Sequence, residues 1–141
     1  AGRSINNYMY EYLFQEIVNL LCKQKENEND TKILLLGITY KSDCSDIRNS
    51  QLVLLAEKLK KRNLKITIVD PKVDRKKALE EMSLEILVKI PKNQKYSIII
   101  FGLYHKEFDH LSYKVLKKST KKDTVIIDLT NKIIGENVIH L

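Results

Sequence analysis

KILLLGITYKSDCSDIRNS, residues 32–50, decides how this chain folds. Lys32–Leu36 is a short apolar run with the length of a buried strand. Gly37–Ser50 is polar, with one glycine, two cations (Lys41, Arg48) and the hydroxyls of Thr39, Tyr40, Ser42 and Ser45. A helical pattern begins at about Ser50, which can cap it together with Asn49. The stretch therefore joins a buried strand to a helix N-terminus. In an open α/β sheet, ligands bind at the carboxyl ends of strands. The free N–H groups of a helix N-terminus favour an anion there. A phosphorylated ligand is the first expectation.

Outward from this stretch, strand and helix alternate. A helix over about Ser50–Arg62 turns Leu52, Leu55, Ala56 and Leu59 inward, and Asn63 stands where a left-handed residue ends helices. Lys65–Asp70 predicts a second strand stopped by Pro71, and Asp74–Met82 a helix capped by Asp74. Leu84–Val88 reads as a minor strand, with Pro91 just beyond it. Ser97–Phe101, SIIIF, is β-branched and continuous, as a strand buried on both faces should be. A helix running through about Lys118 follows, with Phe108, Leu111, Val115 and Leu116 inside, then a strand at Thr124–Leu129 and an edge strand at Val138–Leu141. The pattern predicts an α/β fold: a doubly wound, mostly parallel, Rossmann-like sheet.

Before the sheet, Ile5, Met9, Tyr12, Leu13, Ile17, Leu20 and Leu21 recur at three- and four-residue steps. They predict one long helix over residues 3–24. The charged connector KQKENEND, Lys23–Asp30, separates it from the sheet. The domain expectation is a helix over 1–24, a linker over 25–31 and the α/β domain over 32–141. Such a helix packs on another domain, pairs with a second copy of itself, or simply covers the sheet.

The 141 residues suit one domain with an appendage. No apolar run approaches the roughly 20 residues that span a bilayer, and AGRSINNYM has no signal-peptide pattern. Cys22 and Cys44 form neither a disulfide framework nor a metal motif, so a cytoplasmic setting is expected. Cys22 reads as a small buried residue of the long helix. The net charge of +7 is spread over several helices, and the seven tyrosines do not interleave with the basic clusters. A solvated surface is the better reading than a nucleic-acid interface.

Three phosphate-binding chemistries can be tested. Asp70 ends the second strand, where dinucleotide folds place a ribose-binding acid, but the first turn lacks G-x-G-x-x-G, and Asp-Pro favours plain turn chemistry. A Walker G-x-x-x-x-G-K-[ST] is absent, and LLLGIT lacks the clustered acids of a phospho-receiver. Two readings of the loop stay open. In one, Lys41 meets a phosphate as a point charge, Arg48 forks onto a second phosphate or a carboxylate, and Tyr40 offers its ring or hydroxyl. In the other, Arg48 pairs with Asp43 or Asp46 and Lys41 is merely solvated. Cys44 has the cations Lys41 and Arg48 and a helix N-terminus near it, but it lacks G-x-C-x-P flanks and is not read as a nucleophile; His105 and His110 lack metal spacing and read as surface or capping groups.

GITYKSDCSDIRNS, a helix, and then VDPKVD resembles the C-terminal domain of the UDP-glucose/GDP-mannose dehydrogenase family; AGRSINNYM is similar to that family's central helix. The form CSDIRNS looks closest to bacterial enzymes that oxidise UDP-N-acetylhexosamines to uronic acids for polysaccharide synthesis. The resemblance implies an NAD-dependent nucleotide-sugar 6-dehydrogenase that oxidises a primary alcohol twice, through a cysteine-bound intermediate. It implies UDP contacts at Tyr40 and Lys41, an NAD contact at Arg48, and a homodimer through residues 3–24. The family's late cation falls on Thr130, with Lys132 as a substitute UDP contact. The NAD fingerprint, nucleophilic cysteine and catalytic lysine belong to a part N-terminal to this chain, so no catalytic residue is expected here and the isolated chain should not turn over. A metal, a membrane and nucleic acid are not expected. The rival expectations are a non-catalytic basic module for nucleic acid or protein, and a degenerate domain kept for assembly.

Overall fold

Apolar runs become the inner strands of one six-stranded sheet in the computed structural model, which describes residues 2–25, 27 and 30–141, residues 2–8 by backbone only. The chain runs α1 (Gly2–Gln24), β1 (Lys32–Leu36), α2 (Gln51–Lys61), β2 (Lys65–Val69), α3 (Arg75–Met82), β3 (Ile86–Leu87), β4 (Tyr96–Phe101), α4 (Tyr113–Lys117), β5 (Thr120–Asp128) and β6 (Val138–His140). The strand order is β3-β2-β1-β4-β5-β6, and every neighbouring pair is parallel. The direction of winding reverses between β1 and β4.

Period-two alternation divides the core. Ile33 and Leu35 of β1 face one side with Ile98 and Ile100 of β4, while Leu34, Leu36, Ile99 and Phe101 face the other. Ile33–Leu36 are wholly buried. Each such side chain contributes roughly 1.5–3 kcal/mol relative to leaving it in water. On the first face lie α1 and α2, through Leu13, Ile17, Leu52, Leu55 and Leu59. On the second lie Phe108, Leu111 and Leu116 from the β4–β5 connection.

Local chemistry fixes the helix ends. Ser50 Oγ accepts from Leu52 N, Asp74 Oδ1 from Lys77 N, and Ser112 Oγ from Val115 N. Asn63 has φ 63° and Ser83 φ 54°, the left-handed conformations that close α2 and α3. The predicted single helix through Lys118 is instead a 3-10 turn at Lys106–Phe108 followed by α4, because the Ser112 cap restarts the helix. β5 starts four residues earlier than predicted: Thr120 pairs with Tyr96 before a register shift.

α1 covers the sheet's first face. Leu13 and Ile17 reach the core, and Gln24 Nε2 donates to Ser97 O and Asp123 O. Lys58 of α2 lies over the Phe14 ring at 4.7 Å. Met9 and Tyr12 point away, 40% and 56% exposed. Cys22 is exposed, not buried as its apolar neighbours suggest, since Leu20, Leu21 and Gln24 take the inward positions of the last turns. The side chain of Ile5, counted in the predicted stripe, lies outside the described residues.

The return from β3 to β4 carries no helix across residues 88–95. The second face is therefore open beside β2, and a cavity of about 900 Å³ lies there, floored by Val69, Ile90, Phe108, Leu111 and Val115.

Candidate functional site

The loops after β1 and β4 meet at the carboxyl edge, at the point where strand order reverses. Two glycines permit the approach. Gly37 has φ +82°, and a Cβ there would stand 2.3 Å from Leu103 O. A Cβ on Gly102 would stand 3.1 Å from Gly37 O. Leu36 O accepts from Gly102 N at 2.8 Å, and Gly37 N donates to Val69 O at 2.9 Å. The β1 exit is thereby fixed to β2 on one side and to β4 on the other.

The loop then folds back on itself. Tyr40 N donates to Asp46 O at 2.7 Å, and Cys44 N to Lys41 O at 3.3 Å. Ser50 Oγ donates to Ile38 O at 2.7 Å, tying the start of α2 to the start of the loop. Asp43 and Asn49 hold φ of 58° and 62°. Tyr40 is 57% exposed, and Lys41 is exposed beside it. Among the described residues no carboxylate pairs with the Lys41 ammonium. Arg48 forks onto Asp46, Nε to Oδ1 at 3.1 Å and an Nη to Oδ2 at 3.2 Å, with its side chain 77% exposed. That fork, with the Arg48 N–H to the same carboxylate, holds Asp46 below the ordinary carboxylate value and raises Arg48.

Beneath the loop lies a buried polar cluster. Asp70 and His105 are fully buried. Asp70 Oδ2 accepts from Ile38 N at 2.7 Å and lies 2.9 Å from His105 Nε2; Oδ1 accepts from Lys72 N at 2.8 Å. Asp43 N donates to His105 Nδ1 at 2.9 Å, and Lys106 N donates to Asp43 Oδ1 at 2.8 Å. Because Nδ1 accepts, the neutral ring carries its proton on Nε2 and donates it to Asp70. Thr39 Oγ1 donates to Lys41 O at 2.9 Å and sits 3.2 Å from Nε2. The reading of His105 as a surface or capping group is thus corrected: its partners come from β2 and the β1 loop, far off in sequence. Asp70 does make the turn bond to Lys72 N, and it also anchors the cluster. His110 is exposed.

Lys132 sits against Tyr104 of the β4 loop. Its ammonium sits 4.3 Å from the Tyr104 ring centroid, and the Tyr104 hydroxyl donates to Asp109. Among the described residues no contact joins Lys132 to Tyr40 or Lys41. Thr130, two residues earlier, donates to Asp128 Oδ1 from both its N–H (2.8 Å) and its hydroxyl (2.6 Å). Ile133 N donates to Oδ2 at 2.8 Å. Burial pushes the Asp128 carboxyl up, but these bonds and nearby His140 outweigh it, so the group lies below its ordinary value.

The large cavity beside β2 includes neither Tyr40 nor Lys41 in its lining. Among the described residues no group of three or more His, Cys, Asp or Glu side chains could hold a metal ion. No helix among them is long and apolar enough to cross a membrane.

Comparison with known proteins finds relatives of one family. The model of the UDP-glucose/GDP-mannose dehydrogenase family, UDP binding domain, matches residues 34–134. UDP-N-acetyl-D-glucosamine 6-dehydrogenase of Pseudomonas aeruginosa is 30% identical over 129 residues, covering 92% of this chain and 30% of that protein. Protein CapL of Staphylococcus aureus is 29% identical over 108 residues, 77% of this chain and 25% of CapL. The solved UDP-N-acetyl-mannosamine dehydrogenase Cap5O from S. aureus superposes with a TM-score of 0.72 at 26% identity, over 99% of this chain and 31% of that one. The chain thus spans about a third of the length of these proteins.

Proposed function

The chain belongs to the UDP-glucose/GDP-mannose dehydrogenase family, and we propose that it forms the nucleotide-holding part of an NAD-dependent UDP-sugar 6-dehydrogenase. The substrate is a UDP-N-acetylhexosamine or UDP-glucose, and the product its uronic acid. The observation that carries this reading is the Lys41 ammonium: exposed, without a carboxylate partner among the described residues, on a loop pinned at the carboxyl edge. The backbone that carries it is already held, so meeting a diphosphate orders the lysine side chain and not the loop. Tyr40, 57% exposed on the adjoining residue, takes the uridine by its ring or hydroxyl. Lys132 supplies a second, weaker cation, stepping off the Tyr104 ring to reach the nucleotide.

The residues of this chain do not build a dinucleotide cradle. Gly37 is the only glycine in the turn after β1, and the Asp70 carboxylate is taken up by Ile38, Lys72 and His105. The chain's share in NAD binding is Arg48, whose exposed guanidinium can leave Asp46 for an anionic partner. Oxidation itself belongs to the whole protein, and this chain alone binds without turnover. Residues 3–24 form the contact between two copies, through the face that carries Met9 and Tyr12.

Titration calorimetry with UDP tests the reading. Wild type should give a saturable heat, and Lys41→Ala should weaken it by about ten- to a hundredfold, the loss of one charge-assisted contact. No heat with wild type would refute it. Salt-dependent binding of generic DNA instead would favour a nucleic-acid module.

A further inference from the structure

We propose that His105, in its Nε2–H form, is a positioning residue that sets Lys41 and Tyr40 for the nucleotide through its Nδ1 bond to the Asp43 backbone. The inference rests on the nucleotide reading above. The two ring nitrogens have separate tasks. Nε2–H meets Asp70 Oδ2, and this bond joins the β4 exit to the β2 exit inside the fold. Nδ1 accepts from Asp43 N, and this bond holds the loop. Lys41 lies between two tied points: its own carbonyl, held by Thr39 Oγ1, and the Asp43 amide, held by His105. Asp43 is also tied from its side chain by Lys106 N.

Backbone conformation adds an independent reason. Asp43 sits at φ 58°, left-handed and non-glycine. Such a residue is strained and persists where its surroundings over-determine it. Here the fixing contacts come from His105 and its neighbour Lys106, both on the β4 loop. The left-handed turn at Asp43 reverses the chain so that Tyr40 N can reach Asp46 O, which leaves Tyr40 and Lys41 projecting outward. His105 therefore acts on the nucleotide only indirectly, by shaping the β1 loop. The residue is fully buried, so it contacts no ligand itself.

Two substitutions separate the tasks. An asparagine places its amide oxygen near the former Nδ1, and a glutamine places its amide nitrogen near the former Nε2. His105→Asn keeps the acceptor for Asp43 N–H and loses the Asp70 bond. His105→Gln does the reverse. Thermal melting and UDP calorimetry are measured on both, with the chain as it is. The expected result is a crossed pattern. His105→Asn melts lower but binds UDP as wild type does. His105→Gln melts higher than His105→Asn but binds about fivefold or more weakly, the worth of one neutral hydrogen bond. Nitrogen NMR of the wild-type imidazole should show the proton on Nε2, a readout that needs neither variant to fold. Equal affinity in both variants, or a proton on Nδ1, overturns the inference and leaves the nucleotide reading standing. Absence of UDP binding by wild type overturns both.

Discussion

Asp70→Asn should be among the most damaging isosteric changes in the chain, and its cost can be worked from the contacts. The carboxylate accepts three hydrogen bonds at zero exposure: Ile38 N and His105 Nε2 on Oδ2, Lys72 N on Oδ1. Asparagine has one acceptor oxygen. Placed at the Oδ2 position it keeps two bonds and turns its NH₂ toward the Lys72 N–H, donor against donor. The flipped orientation sets two donors against it and is worse. His105 offers no relief by moving its proton, because Nδ1 already faces the Asp43 N–H. One charge-assisted bond is lost and two become neutral, which sums to about 3 kcal/mol. With a urea slope of about 2 kcal/mol per molar, the unfolding midpoint should fall by about 1.5 M. Glu107→Gln is the matched control. Its ion pair with Lys72, 3.0 Å long, lies at the surface, and the midpoint should stay where it is. A fall of less than about 0.3 M for Asp70→Asn would refute the claim that this cluster anchors the carboxyl edge.

Other outcomes follow from the same contacts. Asp128 is held below its ordinary value in the folded state, so it stabilises the fold above the unfolded carboxylate pKa, and the contribution fades as pH falls through the folded one. Asp128→Asn should therefore flatten the acid limb of stability, below about pH 4, as followed by urea midpoints across pH; an unchanged acid limb would count against it. Tyr12→Glu should move the chain from dimer to monomer in sedimentation velocity, because Tyr12 is 56% exposed on the outer face of α1. A wild type that sediments as a monomer at high concentration would reject the α1 contact outright.

The sequence carried most of the fold. β-Branched and leucine-rich runs such as KILLL and YSIIIF have few options other than inner parallel strands, and Ser50, Asp74 and Asn63 announced helix ends by local chemistry. What escaped was non-local. His105 has no signal around it in sequence, and its partners lie 35 residues away at Asp70 and 62 away at Asp43. The start of β5 was missed because Thr120–Asp123 is polar, and pairing with Tyr96 rather than apolar burial extends it. Cys22 follows two leucines that pack on the core yet is itself exposed, a distinction that residue type alone does not carry. Of the two open readings of the loop, the structure matches the local one at Arg48, which pairs with Asp46, while an exposed Lys41 with no carboxylate partner among the described residues fits both.

The measurement closest to the central claim is an amide NMR titration of this chain with UDP. Resonances of Gly37–Arg48 should shift together and saturate, with those of Asp128–Ile133 following. Shifts confined to Ile90, Leu111 and Val115 in the cavity beside β2, with the Tyr40 and Lys41 amides unmoved, would contradict it.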